Sequence, residues 1–139
     1  MITESTTITI HTKGLADCQD ITPRATEFVG STGIQRGLFC AFVPGSTAVI
    51  TTIEYEPGAV RDLTAAIERM VPQTIHYEHD ARWGDGNGFS HVRAALLGPS
   101  LAVPIARGEL QLGTWQQIIL VDFDNRPRRR EVVFQIVGE

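Results

Sequence analysis

The sequence predicts an α+β domain, a sandwich of mixed sheets with two main helices, formed by residues 1–139 as a single unit. Short β-branched and aromatic segments dominate both ends of the chain, and two apolar stripes at helical spacing interrupt them. Gly and Pro fall between these segments as punctuation, with no internal repeat and no low-complexity linker. Strands that come in runs argue against a doubly wound parallel sheet, in which strand and helix alternate. A chain of 139 residues, 42% of them apolar, is sufficient for one hydrophobic core.

Thr6 to His11 alternates β-branched residues in period two and reads as the first strand, with Ile8 and Ile10 on one face. In Asp20-Ile21-Thr22-Pro23, Thr22 can cap a helix and Pro23 suits a first turn, where its missing N–H has no helical partner. Ile21, Ala25, Phe28 and Val29 then share one side, and Gly30 or Gly33 supplies a left-handed end. Arg36 to Val43 and Thr47 to Tyr55 read as strands around a tight Pro44-Gly45 connection. After Glu56-Pro57-Gly58, the positions Val60, Leu63, Ile67 and Met70 or Val71 define the second helix, which Pro72 stops. From Arg93 onward the pattern reads as strands: Arg93 to Leu97, Ser100 to Ile105, Thr114 to Phe123 and Glu131 to Val137.

Composition excludes several classes of function. A net charge of −4 argues against a nucleic-acid module, which needs a basic face. The longest apolar runs fall far short of the ~20 residues needed to cross a bilayer. Met1 to Ile10 lacks the basic start and apolar run of a signal peptide, so the expected location is the cytoplasm, with Cys18 and Cys40 reduced. Lys13 is the single lysine, whereas Arg128, Arg129 and Arg130 stand together. That cluster offers forked donors for a phosphate or carboxylate, and reads equally as a solvated hairpin end or a salt-bridge site between subunits.

The densest polar group runs from His76-Tyr77-Glu78-His79-Asp80 through Trp83-Gly84-Asp85-Gly86-Asn87-Gly88 to Ser90-His91, with three of the four histidines in sixteen residues. Imidazole ligates transition metals and titrates near neutrality, and an adjacent carboxylate can orient the ring or act as a base. The spacing matches no HExxH or CxxC pattern, so loop histidines without a metal compete with this reading. The Gly84 to Gly88 amides could form an anion nest, although Asp-Gly and Asn-Gly also specify a plain turn. Ser46 and Thr47 lack an activating neighbour and read as binding groups or turn partners, and Glu54 could face water or the pocket.

Several blocks together resemble the YjbQ-like family, known as secondary thiamine-phosphate synthases. They are Tyr77-Glu78-His79-Asp80, Asn87-Gly88, His91, Leu97-Gly98-Pro99-Ser100, Val103-Pro104, Leu112-Gly113-Thr114-Trp115-Gln116, and Asp122-Phe123-Asp124 with Arg128 to Arg130. The resemblance implies a YjbQ-like fold assembling as a homotrimer through its sheets, with a histidine-lined polar cleft between subunits. It also implies a transferase that joins a pyrimidine diphosphate to a thiazole phosphate, its ligand being a small phosphorylated molecule. On this basis His79, Asp80 and His91 are the expected catalytic residues. Ser46, Thr47, Asn87, Gly88, Trp115, Gln116 and Arg128 are the expected substrate contacts. The chain departs from the family pattern at Gly45-Ser46-Thr47, where His-Thr-Thr is usual, and at Phe89-Ser90-His91, where His-x-His is usual. His79 and His91 remain as metal ligands for Zn or Mg, and Asp80 or Glu54 would complete the shell. Phe89 instead suggests apolar surface for stacking on a heteroaromatic ligand. The competing expectations are a non-catalytic trimer that binds a small anion or metabolite, and a purely structural assembly protein.

Overall fold

In the computed structural model, which describes residues 1–139, the period-two ends of the chain pair with each other. β1 (Ile2–Thr12) runs antiparallel to β8 (Arg128–Gly138), with Ile8 opposite Val132 and Ile10 opposite Arg130. The intervening elements are β2 (Asp17–Asp20), α1 (Thr22–Thr32), β3 (Arg36–Phe42), β4 (Ala48–Ile53), α2 (Pro57–Met70), α3 (Glu78–Trp83), α4 (Gly88–Leu97), β5 (Ser100–Ala106), β6 (Glu109–Leu110) and β7 (Gln117–Asp122). A five-stranded sheet has the order β1-β8-β3-β5-β6 and a three-stranded sheet the order β2-β7-β4. Every pairing is antiparallel, which corrects the expectation of mixed pairing, and four helices replace the expected two.

The main core lies where the inner face of the larger sheet meets one face of the smaller sheet and α1. Phe39 and Phe134 meet there with ring centroids 5.1 Å apart and planes tilted by 57°, in one cluster with Ala25, Val29, Ile118 and Leu120. The other face of the smaller sheet carries Val49, Ile119 and Val121, which pack with Ile67 of α2, Ala94 of α4 and Phe123. The smaller sheet is therefore covered on both sides. That is why its central strand reads as an unbroken apolar run with no polar alternation.

The first two helices form as the sequence predicts, with one difference in capping. Thr22 does not cap α1: its hydroxyl accepts the Ile118 N–H at 2.7 Å and ties the helix to β7, while Asp20 Oδ1 accepts the Thr22 N–H at 2.9 Å. Gly33, left-handed at φ 72°, ends that helix. The Glu56 carboxylate accepts the Gly58 and Ala59 N–H groups, starting α2, which ends at Met70 before Pro72.

Two further expectations fail. Arg93 to Leu97 is the second half of α4 and not a strand. Phe89, Ser90, Arg93 and Ala94 are buried at helical spacing, and Arg, Ala and Leu are strong helix formers. Pro44-Gly45 joins strands of different sheets instead of closing a hairpin, so β3 pairs with β5 and β8 while β4 pairs with β7. This crossover delivers Ser46 and Thr47 to the end of the molecule where α3 and α4 meet the end of β7.

Candidate functional site

α3 is six residues long and ends at Gly84, left-handed at φ 64°, which turns the chain back on the helix. The turn brings Asp85 to His79, with Oδ1 3.5 Å from Nδ1, while Asp80 Oδ1 lies 3.4 Å from the same nitrogen. His79, Asp80 and Asp85 each offer a ligand atom within 4.8 Å of the others, in a part-exposed position. α4 then presents His91, whose ring centroid lies 4.3 Å from that of His79 with the planes tilted by 36°. Burial and the neighbouring His79 push the His91 imidazole below its ordinary 6.5, against the pull of Asp85, Asp124 and Asp80. At neutral pH His91 is an uncharged ring able to accept a proton or a metal.

The glycine loop is committed internally. Asp80 Oδ1 accepts the Gly88 N–H at 2.8 Å and Asp85 Oδ1 accepts the Asn87 N–H at 3.1 Å, so the chain's own carboxylates occupy the amides that a nest would offer an anion. Gly88 leaves no room for a side chain, because a Cβ there would sit 2.6 Å from the Tyr77 Cβ.

Beneath this loop lies a buried polar network that ties the expected binding residues together. Asp124 Oδ2 accepts from Asn87 Nδ2 at 3.2 Å, Thr47 Oγ1 at 3.0 Å and Arg128 Nη2 at 2.9 Å. Asn87 Oδ1 in turn accepts from Ser90 Oγ at 2.6 Å and the Asn125 N–H at 3.1 Å. Arg130 forks onto Asp122, with Nε to Oδ2 at 2.7 Å and Nη2 to Oδ1 at 2.9 Å, and also donates to Thr47 Oγ1. These hydrogen bonds to Asp122 hold the Arg130 guanidinium above its ordinary value, against the effect of burial. For Asp124, burial favours the neutral acid, but hydrogen bonds from Arg128, Thr47 and Asn87 outweigh it and hold the carboxyl below its ordinary 3.8.

The three arginines separate by strand alternation. Arg130 points inward and bonds through Nε and Nη2, Arg129 points outward to Glu131, and Arg128 is a third exposed, bonds through Nη2 alone and has its Nε buried and unpartnered. Of the three, Arg128 has donor capacity to spare.

The remaining expected residues are dispersed. Ser46 is exposed and lines a cleft of about 240 Å³ with Gly45, Ala48, His91, Ala94, Ala95 and Pro99. Trp115 and Gln116 precede β7, at the opposite end of that strand from Asp122, and Gln116 bonds Thr52 and Gly113. One chain therefore does not bring them to His79 and His91. Glu54 follows Ile53, which pairs with Gln117 at that same far end and so lies away from His79, beside which Asp85 stands instead. Phe89 is fully buried under the Arg93 guanidinium, 4.8 Å away, and offers no stacking surface to a ligand. Sequence reasoning missed Asp85, Asp122, Asp124 and Arg130 as individual site residues. For Asp122, Asp124 and Arg130 the signal was the i, i+2 spacing of Asp-x-Asp at the end of β7 and Arg-x-Arg in β8, which puts alternate residues of extended chain on one side; Asp85, alone between two glycines, carried no such signal.

The family model for the UPF0047 YjbQ-like proteins matches residues 6–139. A UPF0047 protein of Archaeoglobus fulgidus is 36% identical over 126 residues, covering 91% of this chain and 95% of that protein. YugU of Bacillus subtilis is 32% identical over 134 residues, covering 95% and 98%. Among solved structures, a protein of unknown function from Sulfolobus solfataricus superposes with a TM-score of 0.89 at 29% identity, covering 99% of this chain and 100% of that one. A Clostridium acetobutylicum protein of the same family gives 0.87 at 32% identity, covering 95% and 99%. The matched model, the relatives and the shared fold together make this chain a member of the YjbQ-like UPF0047 family.

Proposed function

We propose that this end of the molecule binds a divalent cation through His79, Asp80 and Asp85, and through it the phosphate groups of a small molecule. The observation that carries the reading is electrostatic. In the linked set, Asp122 and Asp124 pair with the guanidiniums of Arg130 and Arg128, whereas Asp80 and Asp85 face the His79 imidazole and no guanidinium, so with imidazoles counted as neutral two negative charges are left in excess. A bare anion would be repelled, whereas a dication restores neutrality and leaves coordination positions for phosphate oxygens. One imidazole and two carboxylates form a hard donor set that suits Mg²⁺ or Mn²⁺ better than a closed structural zinc site.

The finer reading is a transferase of the thiamine-phosphate synthase type. In such a reaction a thiazole nitrogen attacks the pyrimidine methylene carbon, the C–N bond forms, and the C–O bond to diphosphate breaks. Charge develops on the departing diphosphate, and the bound cation would neutralise part of it. Arg128 supplies a further donor to that diphosphate. His91, uncharged at neutral pH, hydrogen-bonds the substrate in the adjoining cleft with Ser46. Asp80 fixes the orientation of His79. Trp115 and Gln116 reach this site from a neighbouring subunit of a homotrimer, which accounts for their distance from it within one chain.

A non-catalytic, metabolite-binding trimer is the second reading, and one observation favours it. His91 stacks on His79 and makes no hydrogen bond to a carboxylate, so no group fixes its tautomer as a general base requires. Calorimetric titration with Mg²⁺, Mn²⁺ and Zn²⁺ followed by a pyrophosphate-release assay separates the two. Cation binding that is lost in Asp85→Asn and followed by turnover supports the transferase. Binding without release above the His79→Ala background leaves the binding module, and no cation binding at all removes both.

A further inference from the structure

We propose that Arg93 is a positioning residue of the candidate cation site, holding the chain that delivers α3 so that His79 and Asp80 meet His91 and the glycine corner. The inference rests on the cation reading for its binding test and on the fold alone for its second readout. Packing does not hold α3 in place, since none of its six residues is buried. Between α2 and α3, residues Pro72 to His76 make no backbone–backbone hydrogen bond, and Gln73, Thr74, Ile75 and His76 are exposed. The position of α3 therefore depends on side chains that grip the ends of this connection, together with the contact from Asp80 to the Gly88 N–H.

Arg93 is the central grip. Its side chain is buried, and Nε and Nη2 both donate to the Val71 carbonyl, at 3.1 Å and 2.9 Å, where α2 ends. A cation suits that position, because the last carbonyls of a helix lack partners and carry partial negative charge. Nη2 also donates to Glu68, whose other carboxylate oxygen accepts the Gln73 N–H at 3.2 Å. Tyr77 closes the far end of the connection: its hydroxyl donates to the Pro72 carbonyl, and its Cβ is the atom that leaves no room at Gly88. The Arg93 guanidinium also lies over two buried rings, 4.8 Å from the centroid of Phe89 and 5.6 Å from that of Phe123. Phe89 follows Gly88 in α4, and Phe123 separates Asp122 from Asp124. One planar cation thus touches the α2–α3 connection, the helix that carries His91 and the end of β7. A flat fork can meet all three at once, whereas an ammonium is a point charge on a flexible stem.

Arg93→Lys keeps the charge and loses the fork. Calorimetry with Mg²⁺ and Mn²⁺, well below the melting temperature, is expected to show cation affinity reduced on the order of tenfold, as loss of an outer contact does at metal sites. The nuclear Overhauser contact between the His79 and His91 rings, whose centroids lie 4.3 Å apart, is expected to weaken with it. Val29→Ala in the main core, which lowers stability without touching Arg93, should leave both readouts as in the parent. Glu68→Gln, at a half-exposed position, should weaken cation binding less, and adding it to Arg93→Lys should cost little more, since both break one link. If Arg93→Lys does not fold, Glu68→Gln decides. Affinity within about twofold of the parent, with the ring contact intact, makes the clamp structural only and overturns the proposal. If the parent binds no cation, the cation reading falls by itself and the ring contact in Arg93→Lys still decides: retained, it overturns the positioning role; lost, it upholds it. A parent without that contact overturns it outright.

Discussion

Asp124 receives hydrogen bonds from Arg128, Thr47 and Asn87 with its side chain wholly buried, so its charge is built into the folded state. A carboxyl held below its ordinary 3.8 adds stability that is complete above that value and is lost as pH falls through the lower folded value. The chain is therefore expected to lose urea resistance as pH drops below about 4, with the loss reduced in Asp124→Asn, as denaturation midpoints across that range would reveal. The neighbouring pair is sharper. Asp122→Ala strands the buried Arg130 guanidinium without its forked partner and is expected to cost about 3–5 kcal/mol at neutral pH. A midpoint unchanged from the parent would show that Arg130 finds another acceptor. The family resemblance named Thr47, Asn87 and Arg128 as expected substrate contacts, yet the sequence could not show that they converge on one carboxylate. The partners lie 37 and 77 residues from Asp124, and local periodicity carries no information about such pairings.

At the scale of elements, the site depends on α3 and α4 meeting at a tight corner, and Gly88 is the residue that permits it. Its amide holds Asp80 at 2.8 Å, while a Cβ would lie 2.6 Å from the Tyr77 Cβ and 3.1 Å from Asp80 Oδ1. Gly88→Ala is expected to destabilise by about 1–3 kcal/mol through this overlap and to weaken cation binding, because Asp80 must shift. Thermal melts with and without Mg²⁺ check it: an unaltered melting temperature and an unaltered Mg²⁺ effect would mean the corner relaxes freely. This corner was also where the sequence was hardest to read. Strands and the first two helices announce themselves by period and by Pro or Gly at their ends. α3 is too short to show a period, and the apolar run of α4 after Arg93 is short enough to pass for a buried strand. Once that run is read as a strand, His91 appears to stand in a loop, and its place on a helix facing His79 is lost.

For the whole molecule, the outer face of the five-stranded sheet poses a question that the fold of one chain leaves open. β3 is apolar on both sides: Phe39 and Ala41 point into the core, while Leu38 and Phe42 point out at 50% and 41% exposure. On the next strand Leu38 lies opposite Val137, and Phe42 lies opposite Val133. The outward side chains thus put four large apolar groups on one face of β3 and β8, with Gln135 opposite Cys40 as the polar residue between them. A second and third copy of the chain are the occupants expected here if the proposed homotrimer forms through this sheet, and the same assembly would supply Trp115 and Gln116 to the cation site. Light scattering of the parent is then expected to give three times the mass of the chain. Leu38→Glu with Phe42→Glu is expected to give the monomer with unchanged far-ultraviolet dichroism, because both side chains lie outside the core. Thiamine phosphate affinity should fall with assembly, while Mg²⁺ affinity, set by His79, Asp80 and Asp85 of one chain, should hold. A parent that is monomeric at all concentrations, or a double variant that remains a trimer, would remove this face as the interface.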